Sequence, residues 1–137
     1  MLGGVHAVVR DEDRIVSHAA VVARELFLDE PIRTGYVEGV ATLPDLQGHG
    51  LGSAVMRIVN EHLRGTYRLG ALATARIGFY ERLGWERWRG ATSVRTPEGT
   101  IRTPEDDGWI MVLRTPSSPA LDLDAPISCD PREGDVW

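Results

Sequence analysis

At 137 residues the chain holds enough material for one hydrophobic core and too little for two. A hydrophobic share of 42% beside 26% charged residues excludes collagen-like, low-complexity and wholly disordered classes. The acids outnumber the basic residues, all of which are arginine, to a net charge of −5 without a basic run, so nucleic acid is not an expected partner and a cationic ligand is.

No apolar stretch is long enough to span a bilayer, and residues 1–10 lack the basic start and apolar core of a secretory signal. A cytoplasmic protein with no membrane partner is therefore expected. The single cysteine, Cys129, cannot form an intramolecular disulfide, and a lone thiol is more often a buried small residue than a nucleophile. His6, His18, His49 and His62 show no metal-ligand spacing, so no metal is expected.

In chain order, Val5, Ala7 and Val9 alternate with other residues before the charged turn at 11–14, and an apolar, β-branched run resumes over 15–28. After a second turn at Asp29-Glu30-Pro31, residues 32–43 favour extended structure, making three successive strands that Pro44 and Asp45 end. Apolar residues at helical spacing predict a helix over 51–63 that closes near Gly65. A short buried strand over 69–73 and a helical segment over 76–83, stopped by Gly84, come next. Two further strands, 85–94 and 109–113, are expected on either side of a Pro/Gly/Thr-rich loop, with Trp85, Trp88 and Trp109 packed in the sheet. The last residues, 115–137, show no periodicity; they read either as a disordered tail or as a segment that wraps the domain. The class is α/β (α+β) with a mixed sheet.

The loop Gln47-Gly48-His49-Gly50-Leu51-Gly52 lies between a strand and a helix, where backbone N–H groups gather at a positive helix end and suit an anion. It lacks the Lys-Ser/Thr pair of a Walker loop and does not complete a Rossmann fingerprint. On its own it is either a phosphate cradle or a tight turn.

Gln47-x-x-Gly50-x-Gly52, followed by a helix, a short strand and Phe79-Tyr80-x-x-x-Gly84-Trp85, resembles the GNAT family of acyl-CoA-dependent N-acetyltransferases. That resemblance implies a mostly antiparallel sheet with flanking helices, acetyl-CoA as cosubstrate and no metal. Gly35-Tyr36-Val37-Glu38-Gly39-Val40, Leu69-Gly70-Ala71-Leu72, residues 102–108 and the final Gly134-Asp135-Val136-Trp137 are similar to the aminoglycoside 2'-N-acetyltransferases over nearly the whole chain. The similarity implies Glu38 as general base acting through water and Tyr80 as general acid. It implies Val40, Ala41 and Thr42 as the strand edge for pantetheine, and Gln47, Gly48, His49, Gly50, Leu51 and Gly52 as the pyrophosphate loop. Glu38, Gly39, Asp106, Asp135 and Trp137, the last through a terminal carboxylate, would bind an aminoglycoside.

Two departures stand out. The chain starts without the N-terminal strand and helices usual in the family, and Ala73 stands where a serine is usual. An exposed sheet edge at the opening strand implies a homodimer. Read from the residues alone, Glu38 is either a base or one half of an ion pair with an arginine such as Arg33. Tyr80 is either an acid or a core aromatic, and Glu105, Asp106 and Asp107 form either a solvated loop or a polycation-binding surface. Competing functions are a GNAT enzyme for another small amine or a peptide, and a domain that binds coenzyme A or aminoglycoside with little turnover. The tail over 115–137 is expected to fold back across the acceptor site of a single 1–137 domain.

Overall fold

The computed structural model describes residues 4–137. The charged turn joins β1 (Val5–Asp11) to the long β2 (Arg14–Phe27), with Glu12 in the left-handed region at φ 56°. β2 pairs antiparallel with β3 (Pro31–Thr42) along most of its length. β1 has no second partner strand among the described residues.

α1 (Leu51–Thr66) follows the glycine loop and buries Val55, Met56, Val59 and Leu63, the stripe that helical spacing dictates. The helix closes at Thr66, beside Gly65, as expected. β4 (Leu69–Ala73) then lies parallel to β3, completing a βαβ unit, and α2 is a short helix (Ile77–Glu81). Gly84, at φ 94°, turns the chain after α2. Asn60 in α1 fastens this turn, donating to the Leu83 carbonyl and accepting from Trp85 Nε1 at 3.0 Å each.

The second half departs from the expected strands. The segment 85–94 is interrupted, giving β5 (Glu86–Arg87) and β6 (Thr92–Thr96). The break is at Gly90, where the tail crosses so closely that a Cβ would lie 1.8 Å from the Ala125 carbonyl oxygen. The expected loop contains a hairpin instead, since Pro97-Glu98 turns β6 into β7 (Gly99–Arg102) before β8 (Ile110–Arg114). The tail supplies β9 (Ile127–Cys129), inserted between β2 and β6. The sheet order is β5-β8-β4-β3-β2-β9-β6-β7, with β1 also on β2. Among the described residues only β3/β4 and β6/β9 are parallel pairs. The expected mixed, mostly antiparallel sheet with flanking helices is what forms.

Alternation along the strands builds two cores. Met111 and Leu113 join Val21, Val37 and Leu72 beneath α1 and α2, while Ile110 and Val112 join Leu26, Ile32 and Tyr36 on the opposite face. Trp88, Ile127 and Trp137 close that second face. Among the described residues no helix is long and apolar enough to cross a membrane.

Candidate active site

The site begins where β3 and β4 part. Their pairing runs only through Thr34–Leu69, Gly35–Gly70 and Tyr36–Ala71. At Gly35 a Cβ would meet Leu63 at 2.3 Å, and at Gly70 at 2.9 Å, so two glycines let α1 sit tightly where the strands join. Beyond Tyr36, β3 pairs with β2 alone. Gly39, at φ 64°, lies in the stretch where the β2–β3 register shifts, and His18 Nδ1–H donates to its carbonyl at 3.1 Å. This glycine bulge bends the strand and leaves its backbone edge facing the gap.

One cavity, about 680 Å³, occupies the α1 side of the gap and is lined by Val40, Ala41, Thr42, Gln47, Gly48, Gly50, Leu51 and Gly52. Gly48 and Gly50 have φ of 86° and 79°, which side-chain-bearing residues rarely adopt. Gly50 is the N-cap of α1, and no side chain among the described residues caps the helix. The first helical bond runs from Ala54 N–H to the Gly50 carbonyl, so the N–H groups of Leu51, Gly52 and Ser53 are free to hold an anion. Arg76 and Phe79 complete the lining, with the guanidinium 4.5 Å from the ring centroid. Unpaired strand edge, free helix-end donors and an arginine fit a ligand that carries both amides and phosphates. His49 is exposed and does not line the cavity.

Since open space surrounds Gly50, a Gly50→Val variant should fold and suffer only at its own backbone. Left-handed strain on an L-residue is about 1–2 kcal/mol, enough to weaken coenzyme A binding about tenfold if the loop yields. Calorimetry showing unchanged affinity would remove the loop from the cofactor site.

A second cavity, about 940 Å³, lies on the opposite face and is lined by Glu38, Gly39, Ala73, Asp135 and Trp137, together with Arg24, Glu25, Tyr36, Asp130, Arg132 and Glu133. Glu38 points to this face because it shares the strand parity of Tyr36. Both its carboxylate oxygens accept from Arg132 Nη1 at 3.2 Å. Arg33, the partner considered from sequence, instead donates to the Thr66 carbonyl and lies over the Tyr67 ring. Five carboxylates against two guanidiniums make the cavity attractive to cations. Trp137 is 4% exposed and packs into the core beside Tyr36.

The chain matches the family described as acetyltransferase (GNAT) domain over residues 5–88, the stretch that contains both the glycine loop and the Phe79-Tyr80 motif. It belongs to the GNAT family. Over 99% of the chain it is 49% identical to an aminoglycoside 2'-N-acetyltransferase of Mycolicibacterium fortuitum, and it spans 72% of that relative's length. A glucosamine 6-phosphate N-acetyltransferase of Oryza sativa subsp. japonica is 34% identical over 61% of the chain, which spans 55% of it. A GNAT family N-acetyltransferase from Escherichia coli, solved in complex with CoA, shares the fold with a TM-score of 0.60 at 15% identity, covering 90% of this chain and 64% of that one. A Brucella melitensis GNAT acetyltransferase, solved with acetyl-CoA, gives 0.58 at 18%, covering 88% and 62%.

Within this GNAT domain several expected site residues stand apart from the cavities. Tyr80 is buried and lines neither, packing edge-on against Phe79 with centroids 4.9 Å apart. Burial raises its phenol above the ordinary value while nearby Arg76 opposes the shift, so the hydroxyl stays protonated at neutral pH. Asp106 is outside the lining of the acidic cavity. Its carboxyl is raised by desolvation and by the charges of Glu105, Asp135 and Asp107, so it shares the acidic field of the tail. Asp107 is committed elsewhere: the Thr92 N–H at 2.8 Å and hydroxyl at 2.9 Å donate to it, and Arg102 pairs with it, all of which lower its pKa. It buttresses the β6–β7 hairpin and is not available as a ligand. Trp109 is 46% exposed, against the expected packing in the sheet, because it precedes β8 and only its backbone joins the turn. Cys129 is fully buried, its thiol raised by burial, as suits a packing residue.

Sequence reasoning missed Arg76 and Phe79 as lining residues of the cavity beside α1, and Arg24, Tyr36 and Arg132 as lining residues of the other. Arg76 was findable, since it stands three residues before the Phe-Tyr pair at a helix start. Arg132 was not, because 94 residues separate it from Glu38.

Proposed function

We propose that this GNAT domain is an acetyl-CoA-dependent N-acetyltransferase that acetylates the 2'-amino group of aminoglycosides by direct transfer, which would confer resistance. The reading is carried by a carboxylate, Glu38, that lines the acidic cavity two residues before the strand edge where the donor-lined groove begins at Val40, in a chain 49% identical to an enzyme of that name. A phosphorylated sugar suits the cavity less well, since its anion would meet five carboxylates.

Acetyl-CoA supplies an activated acyl carbon and a thiolate leaving group. The free N–H groups at the start of α1, with Arg76 nearby, hold its phosphates, and the open edge at Val40, Ala41 and Thr42 accepts the pantetheine amides as an added strand would. An aminoglycoside ammonium is no nucleophile until it loses a proton. Glu38 takes that proton, directly or through water, and the carboxylates around it, Asp135 included, orient the remaining ammonium groups. Gly39 and Trp137 shape the same wall. The proton for the departing thiolate comes from Tyr80, whose raised pKa keeps it a donor at neutral pH. Tyr80 packs edge-on against Phe79, which lines the groove, so this step needs the Tyr80 hydroxyl to move toward the groove.

Thiol release from acetyl-CoA, followed with and without tobramycin, tests the reading. Release that depends on tobramycin, with acetylation at the 2' position by mass spectrometry and NMR, is expected. Release with a peptide amine and none with tobramycin would replace the aminoglycoside by another acceptor, and coenzyme A binding without any release would leave a binding domain.

A further inference from the structure

The second cavity already contains a cation. Arg132 reaches it from the irregular segment after β9, and its three contacts are unequal. Nε–H donates to the Asp135 carbonyl at 2.7 Å, the guanidinium carbon lies 5.2 Å from the Tyr36 ring centroid, and a single Nη1 is shared by both Glu38 oxygens at 3.2 Å. A charge-assisted hydrogen bond is ordinarily about 2.7–2.9 Å, and a two-pronged arginine–carboxylate pair uses two nitrogens, so the Glu38 contact is the loose one. The anchor to the Asp135 carbonyl is local, three residues on, and because the guanidinium is a rigid plane it turns together with Nη1 when Glu38 is released. Asp130, Glu133 and Asp135 line the same cavity and offer the released guanidinium other partners.

We infer that Arg132 is a built-in competitor of the acceptor: its guanidinium holds the place beside Glu38 that an acceptor ammonium must take, so every cationic ligand binds more weakly by the cost of displacing it. This rests on the reading of Glu38 as the acceptor-side base. A ligand with one ammonium exchanges one cation for another at Glu38 and gains little. A ligand with several replaces the guanidinium there and also engages the remaining carboxylates of the cavity. The tail thereby imposes the same displacement cost on both, in addition to closing the cavity wall.

The test compares wild type, Arg132→Gln and Arg132→Lys by calorimetry in the presence of coenzyme A, using glucosamine, with one amine, and tobramycin, with several. Arg132→Gln should bind glucosamine and tobramycin each about tenfold tighter, because the displacement it removes is common to both. Arg132→Lys keeps a cation and should stay near the wild-type affinity for both. Unchanged or weaker binding of both ligands in Arg132→Gln would make Arg132 a strut of the tail and overturn the inference. Arg132→Met, which keeps an unbranched stem and removes the charge, carries the same expectation should the glutamine variant fail to fold, and coenzyme A affinity reports folding in each. Binding is read apart from turnover. Wild type that binds tobramycin without acetylating it, with the tighter binding in Arg132→Gln present, would sink the proposed reaction and leave this inference standing; acetylation of tobramycin with no such tightening would do the reverse.

Discussion

Glu38→Gln is expected to lower kcat at neutral pH by about a hundredfold or more, the usual worth of a positioned base. Glutamine retains the size and one acceptor oxygen of the side chain and removes its capacity to take a proton. The fold should survive the change. Glu38 and Arg132 are 37% and 25% exposed at their side chains, and an ion pair so open to water contributes at most about 1 kcal/mol. The acetyl-CoA KM should stay within a small factor, because the cofactor cavity is lined by other residues. The deficit should shrink as pH rises, since more of the acceptor amine is then neutral without help from the enzyme. A variant that keeps near-normal turnover across the pH range would show that solvent takes the proton and that Glu38 only binds.

The largest structural effect is expected at Gly90. A methyl group there would sit 1.8 Å from the Ala125 oxygen and 2.5 Å from its carbonyl carbon, both backbone atoms that no rotamer change can move. Two hydrogen bonds from Arg89 and Gly90 to the Leu123 carbonyl, and the bond from Trp88 Nε1 to the Ala125 carbonyl at 2.9 Å, all depend on this approach. Gly90→Ala should therefore cost about 3 kcal/mol or more, from overpacking together with strained or lost hydrogen bonds, read as a lower denaturation midpoint. β9 and the segment after it follow directly in sequence, so the acceptor KM should rise more than the acetyl-CoA KM. Gly65→Ala, in α1 with open space around it, is the matched control and should be neutral or stabilising by up to about 1 kcal/mol. Equal stability of the two variants would mean that the tail is not held at this crossing.

The elements that the sequence predicts well are those whose cause is local. Alternation over β1 to β3, the helical stripe of α1, the left-handed glycines of the cofactor loop and the Gly84 stop each depend on residues within a turn or two of one another. The groove at Gly48 to Ser53 was legible for the same reason, since its donors are contiguous backbone N–H groups at a helix start. Gly90 and β9 had no such local cause. Gly90 is required by a backbone 35 residues further on, and the three residues of β9 acquire their burial from β2 and β6 on either side, not from any period of their own. The acidic composition and the identity of Glu38 were determined by the sequence itself. That Glu38 meets Arg132, that Tyr80 packs beneath Phe79 outside both cavities, and that Asp107 is tied to Thr92 and Arg102 were decided only when the sheet brought distant segments together. A side chain's charge belongs to its residue, whereas its partner, solvation and hence its chemical role belong to whatever the tertiary packing places beside it.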